Sequence, residues 1–365
     1  MKNVKRLLSV LLILVLALSF AGCHKKNEIA VTIGEWEFTS AYYMCAFLQA
    51  NSEAETLVTE KLSEEESQAE IDFTSKKVEG KKFTDWVKDK AIEYLKEIAT
   101  YKTLCKENDL KIDDETKASL EANVSSYWSQ YYYAMYEPNG VSQDTYTKFM
   151  LDTYYSELYF EYLYAADGKT PVASADVEKE FYDNYIIADY LEANFEQEAT
   201  EEDKTALKEK LDGYVEKLNS GELTFEQVYN DYNGITETEA QEEHDHDHEH
   251  EESEEEVKEP KDKYAQLLGS ADTSYANDNY DTIKEMAIGE AKLITVENTG
   301  YVLAVKQDIK ADTYYLENLD MTVRHALKDK DFEKIIEKEA KKAKADINNY
   351  AVNQFKVKKI VKPEQ

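Results

Sequence analysis

The chain has 365 residues, with 76 Asp or Glu against 43 Lys or Arg and a formal charge of −33. That balance excludes a nucleic-acid partner, because phosphate binding needs a positive face, and it disfavours acidic substrates arriving by diffusion. Roughly 340 residues follow the N-terminal apolar run, enough for two or three domains by the usual length prior.

The chain opens with "MKNVKRLLSVLLILVLALSFAGC". Lys2, Lys5 and Arg6 form a basic start, and residues 7–20 form an apolar run too short and too terminal for a membrane span. Phe20, Ala21, Gly22 and Cys23 resemble a bacterial lipobox, with Phe20 where Leu is usual. The resemblance implies a signal peptide over 1–22, an acylated Cys23 and a tether over 23–30. Two or more acyl chains suffice for stable anchoring, so the expected location is outside the cytoplasm, lipid-anchored to the cell membrane. An ordinary secretory signal with a chance cysteine is the alternative. Cys45 and Cys105 are the other cysteines; export permits a bridge between them, and their apolar helical settings equally suit buried free thiols.

Next, "IAVTIGEWEFTSAYYMCAF" predicts a strand, a turn at Gly34, a second strand and a helix starting at Thr39 or Ser40. Residues 51–82 lack periodicity and read as a broken helix and a loop. In "TDWVKDKAIEYLKEIATYKTLCKENDL", Val87, Ala91, Leu95, Ile98 and Cys105 share one helical face. "KIDDETKASL" restarts a helix capped by Asp113 or Asp114. Helical segments continue through "EANVSSYWSQYYYAMY", break at "EPNG", and resume from "SQDTYTKF" to about residue 166.

Gly168 and Pro171 punctuate the chain, and Ser174 is the expected cap of the next helix. "IIADYLEANF" reads as a strand. A long amphipathic helix ends at Gly221, and a short helix opens at Thr224. After an acidic stretch come a helix, a turn at Gly289 and two strands separated at residues 298–300. A long helix from "LENLDMTV" to "NNYAV" and a short strand in "FKVKKIVK" complete the expectation.

Several of these segments together resemble extracytoplasmic foldases of the PrsA and SurA type. "VTIGEWEFTSAYY" resembles their opening, "LCKENDLKIDDETKASL" their helix-loop-helix, and "VASADVEKEFYDNY" their lead-in to a parvulin prolyl isomerase domain. "ALKEKLDGYVEKLNSGELTFEQVYNDYN" and "IKEMAIGEAKLITVENTGYVLAVKQDI" resemble parts of that domain. The resemblance implies an α+β chain with a mainly helical SurA-like chaperone domain over 31–170. A small parvulin-like α/β domain would follow over 171–310, with an acidic histidine-rich insert at 237–262. A long helix and strand over 311–365 would return to the chaperone domain.

Two departures bear on activity. Tyr190 stands where the family usually has a histidine, and Val302 follows Gly300 and Tyr301 where a second is usual. Twisting a prolyl amide means lowering a barrier of about 18–20 kcal/mol by binding the twisted form best. Without either imidazole the chain reads as a binder of unfolded secreted polypeptide with weak or no isomerase activity; an active isomerase is the alternative, and a surface lipoprotein scavenging zinc or another transition metal a further one.

Twenty-eight tyrosines exceed what a core needs. A ring with a polar tip grips unfolded chain without demanding a sequence. Trp128, Tyr131, Tyr132, Tyr133, Tyr155, Tyr159, Tyr162 and Tyr190 are the candidate polypeptide-binding residues. In "EEHDHDHEHEESEEE", His244, His246, His248 and His250 alternate with acids. Imidazole with carboxylate suits zinc, yet nothing preorganises a closed shell. No cofactor is expected, weak zinc capture in that loop being the metal alternative. A zinc-uptake protein is disfavoured, since outside the tract only His24 and His325 remain.

Overall fold

The computed structural model describes residues 27–62, 71–235, 260–270 and 279–363. The expected signal peptide, Cys23, and His244, His246, His248 and His250 lie outside the described residues. Strand β1 (Ile29–Ile33) turns at Gly34, whose φ of 60° favours glycine, into β2 (Trp36–Thr39). Thr39 caps α1 (Ser40–Thr59), its hydroxyl accepting the Tyr42 N–H at 3.2 Å. Thirteen of the twenty residues of α1 are buried, including all of 40–48. A helix enclosed on every side needs no polar face, which is why its start reads as uniformly apolar.

A small hairpin, β3 (Lys77–Val78) and β4 (Lys81–Lys82), leads into α2 (Phe83–Glu107). The expected stripe of Val87, Ala91, Leu95, Ile98 and Cys105 is buried. Asp113 caps α3 (Asp114–Tyr127), accepting the Thr116 N–H at 2.7 Å. A π-turn (Trp128–Tyr132), the short α4 (Tyr133–Tyr136) and a 3₁₀ turn (Glu137–Asn139) follow, ended by left-handed Gly140. Ser142 then caps α5 (Gln143–Tyr164).

α6 (Ser174–Asn184) is capped by Ala173 rather than Ser174. The Asp176 and Val177 N–H groups both close on the Ala173 carbonyl, which makes Ser174 the first helical residue. Then come β5 (Tyr185–Asn194), α7 (Glu201–Ser220) and α8 (Phe225–Asn233). Both helices open with a reciprocal capping box, Thr200 with Asp203 and Thr224 with Gln227. Strand β6 (Ala265–Gly269), absent from the sequence reading, precedes α9 (Tyr280–Lys284), β7 (Ala291–Val296) and β8 (Gly300–Lys306). These strands form an antiparallel sheet of order β6-β5-β8-β7.

Helix α10 (Tyr314–Ala340) is followed by β9 (Ala345–Ile347), α11 (Asn349–Val352) and a 3₁₀ turn (Val357–Lys359). Two expectations are corrected here. The long helix stops at Ala340 instead of reaching Val352, and "FKVKKIVK" holds a 3₁₀ turn instead of a strand. β9 joins β1 in a sheet of order β2-β1-β9. An irregularity in β1 between Ile29 and Val31 leaves the Ala30 carbonyl to accept the Asn348 N–H at 2.9 Å. That pairing competes with continuation of the helix.

The fold is α+β, and the chain divides into two compact units: Met1–Thr170 with Lys328–Gln365, and Pro171–Leu327. In the first, α1 and α2 bury Tyr42, Phe47, Phe83 and Leu95 together with Ala351, Val352 and Phe355. In the second, Leu191, Leu211, Phe225 and Leu303 fill one face of the sheet and Tyr190, Ile283 and Val302 the other. Cys45 and Cys105 are buried free thiols, so they form no bridge. Burial pushes both up, Cys105 to about 12. Among the described residues no helix is long and apolar enough to cross a membrane.

Candidate polypeptide-binding surface

The stretch from α3 through the π-turn to α4 has few fully buried side chains and packs through half-buried rings on one side. α3 buries only Val124, the π-turn only Trp128, and α4 nothing. Residues adjacent in a helix lie about 100° apart, so the sequence "YWSQYY" must divide its rings between two sides. The inner side carries Trp128, Tyr132 and Tyr136, with ring centroids 5.8, 4.7 and 4.4 Å from Tyr146. Burial raises the Tyr146 and Tyr136 hydroxyls, the latter to about 12. The outer side carries Tyr127 and Tyr131, paired at 5.6 Å. These two are 48% and 60% exposed, and Tyr133 is 52% exposed.

The π-turn is closed by the Tyr133 N–H on the Trp128 carbonyl. Such turns are rare and concentrate at functional sites. Here the widened turn lies between a core anchored by Trp128 and three tyrosine rings left in solvent. Folded proteins place single apolar side chains in water routinely; Tyr127 and Tyr131 are exposed as a pair.

The other candidates are placed differently. Tyr159 is buried, its ring 5.8 Å from Tyr162 and 6.2 Å from Phe332. Tyr162 is half-buried and donates its hydroxyl to Asn108 Oδ1 at 2.8 Å. It lines an open recess of about 480 Å³ with Leu110, Leu158 and Lys169. Tyr155 is half-buried, and its carbonyl accepts from the Cys105 thiol at 3.4 Å. Trp128, Tyr131, Tyr132 and Tyr133 therefore belong to one arm, and the other three in this unit lie along α5. Tyr127, exposed beside Tyr131, was missed by sequence reasoning. Its signal was the four-residue step to Tyr131, which puts the two on one face.

Tyr190 lies in the second unit, in β5, opposite Ala304 of β8. Its hydroxyl accepts from Asn279 Nδ2 at 2.8 Å. Ile186, Ala188, Tyr190, Val302 and Ala304 share one sheet face, covered by Tyr280, Ile283 and Met286. Val302, Ala304 and Ile283 are wholly shielded from solvent. On the opposite face Asp189 is 3% exposed, accepts from Gln307 Nε2 at 2.6 Å through Oδ2, and leaves Oδ1 without a donor. Burial, reinforced by the neighbouring Asp262, pushes its carboxyl up to about 7. Among the described residues no cluster of three or more His, Cys, Asp or Glu could hold a metal.

No protein-family model and no curated protein sequence matches the chain. Among solved structures it is similar to the foldase protein PrsA from Lactococcus lactis, with 12% identity over 88% of this chain and 96% of that one, at a TM-score of 0.38. It is similar to the foldase protein PrsA from Streptococcus pneumoniae, with 13% identity over 72% and 86% and a TM-score of 0.40. A third is PrsA from Bacillus subtilis, with 13% identity over 73% and 81% and a TM-score of 0.27.

Proposed function

We propose that this protein is a lipid-anchored extracytoplasmic chaperone that holds unfolded exported polypeptides, with the aromatic arm as its gripping surface. The observation that carries the reading is the exposure of Tyr127, Tyr131 and Tyr133 within seven residues, on a helical stretch whose fully buried side chains are Val124 and Trp128, with Tyr132, Met135 and Tyr136 packed half-buried on its inner side. A tyrosine ring supplies apolar area to a passing segment, and its hydroxyl stays wetted. Rings on a lightly held arm adapt to many sequences, which suits a client without fixed structure. Cys23 would tether the chain beside the site where clients emerge.

The parvulin-like part grasps or spaces clients on this reading; it does not turn them over. Support comes from Tyr190, buried and hydrogen-bonded where the resemblance leads one to expect a histidine, and from the filled face around Val302.

Replacing Tyr127, Tyr131 and Tyr133 together with Ser tests the gripping surface. The variant should keep the melting temperature within about 2 °C, as exposed substitutions do, and lose most of its ability to suppress aggregation of an unfolded client. Undiminished suppression would remove the surface from consideration. A proline-peptide assay separates the isomerase alternative, since acceleration by the chain that disappears in Tyr190→Phe restores an enzymatic role.

A further inference from the structure

We propose that residues 356–363 form a displaceable strap: a self-bound peptide on a track that unfolded polypeptide takes over. The assignment adds a main-chain contact, occupied in cis, to the polypeptide-holding reading, on which it rests for the nature of the incoming chain. The track is built around Asn139, in the 3₁₀ turn that follows α4. Its Nδ2 donates to the Val361 carbonyl at 2.8 Å, and its Oδ1 accepts the Val361 N–H at 2.9 Å. A side-chain amide that engages both main-chain groups of one residue does for it what a neighbouring strand does. Nδ2 also donates to the Met135 carbonyl at 2.6 Å, which orients the amide independently of the tail. Glu55 of α1 holds the Lys362 ammonium at 2.7 Å through both oxygens, and that ammonium lies 5.3 Å from the Phe73 ring centre.

The tail lies shallowly on this track. Phe355 is the last buried residue, and every side chain from Lys356 to Pro363 is half-buried or exposed. Val357 and Ile360 touch the core of the first unit only in part. Among the described residues the tail's main chain bonds outside itself at Val361, since the Lys359 and Ile360 N–H groups only close the local 3₁₀ turn. Segments tied so lightly open at the low end of a protein's stability range.

Asn139 reads no side chain. Any extended residue with an N–H and a carbonyl to offer can replace Val361, as in the strand-addition mode of peptide recognition. The tail holds its place because it is tethered, at an effective concentration on the order of millimolar. A free segment therefore binds well only when it is abundant or when the tail has lost its own hold.

The test uses the full mature chain and a labelled peptide copying residues 355–363, in fluorescence anisotropy. Val361→Pro with Lys362→Glu frees the tail and leaves the track intact. Proline removes the N–H that Asn139 accepts, and Ile360 before it is already extended, at φ −63° and ψ 124°, as a following proline requires. This variant should bind the peptide about tenfold tighter than the wild-type chain does. Asn139→Ala frees the tail equally but removes the track, so it should bind no tighter than wild type. Unchanged affinity in the tail variant, or a gain shared by Asn139→Ala, overturns the strap. A peptide of the same composition in scrambled order should bind within about threefold; its failure to bind would restrict the track to the tail and overturn exchange with clients. Hydrogen exchange on the wild-type chain gives a second reading without substitutions. Excess unfolded client should speed exchange over 356–363 about fivefold and leave α1 unchanged, and an unaltered rate there overturns the exchange. Absence of aggregation suppression by wild type and tail variant alike removes the holding reading and client exchange with it, whereas suppression with unchanged peptide affinities removes the strap alone.

Discussion

A Cβ placed on Gly300 would stand 2.2 Å from the Ala193 carbonyl oxygen and 2.8 Å from the Asn194 Cα, so β5 and β8 meet there at a distance only glycine allows. The close approach is backbone on backbone and cannot be relieved by a side-chain rotation. Gly300→Ala should destabilise the second unit by about 2 kcal/mol or more, read as a lowered transition in denaturant melts. A variant with an unchanged midpoint would show that the strands can part. Asp189 is the second informative residue. Its carboxyl keeps a proton up to about pH 7 in the folded chain, against 3.8 ordinarily. The native state therefore holds more protons than the unfolded chain between those values, and the stability of the second unit falls as pH rises from about 4 to about 7. Asp189→Asn imitates the protonated form, able to accept from Gln307 and to donate toward Asp262. It should flatten that pH dependence and add about 1–3 kcal/mol at pH 8. Chemical melts at pH 5 and pH 8 check both statements, and a wild-type protein more stable at pH 8 than at pH 5 would contradict them.

At the scale of elements, the arm from α3 to α4 separates anchoring rings from exposed ones. Trp128→Ala removes the ring around which Tyr136 and Tyr146 gather, and should cost the first unit about 3 kcal/mol. Tyr131→Ser should cost under about 0.5 kcal/mol because the ring is already in water. Client binding should fall in both, but only Trp128→Ala should lower the melting point. Much of this level is legible from sequence where the signal is local. Thr39, Asp113 and Thr224 act as caps because each carries an oxygen one residue before a run of helical spacing. Ser174 misled because an Ala can occupy the extended position before it. β6 and β9 escaped because strands of five and three residues show too little alternation, and each exists through its partner, β5 or β1. The same limit governs the site. Periodicity says that Trp128 and Tyr132 share a side, as do Tyr127 and Tyr131, but not which side meets the core. That was decided by Tyr146, which lies ten residues beyond Tyr136 in another helix.

For the whole molecule, the consequential feature is that the first unit is discontinuous in sequence: residues 171–327 interrupt it, and its last portion returns only from Lys328 onward. That returning portion supplies interior parts. Phe332 stacks on Tyr101 at 6.1 Å and meets Phe160 at 5.2 Å. Phe355 lies 5.6 Å from Tyr43 and 6.4 Å from Phe47, and β9 completes the small sheet against β1. Each such aromatic contributes on the order of 3–5 kcal/mol by the usual cost of truncating it, and a domain typically has only about 5–15 kcal/mol in total. A chain terminated after Leu327 therefore exceeds what the first unit can lose. Limited proteolysis of that truncated chain should cut freely within 27–170 and leave 171–327 largely intact, since the clusters on both faces of its sheet are built from its own residues. Adding a peptide spanning 328–363 should restore protection of 27–170 in proportion to its concentration. Protection of 27–170 without the peptide would mean that the N-terminal helices fold unaided, and that the returning helix and strand serve only as a cover.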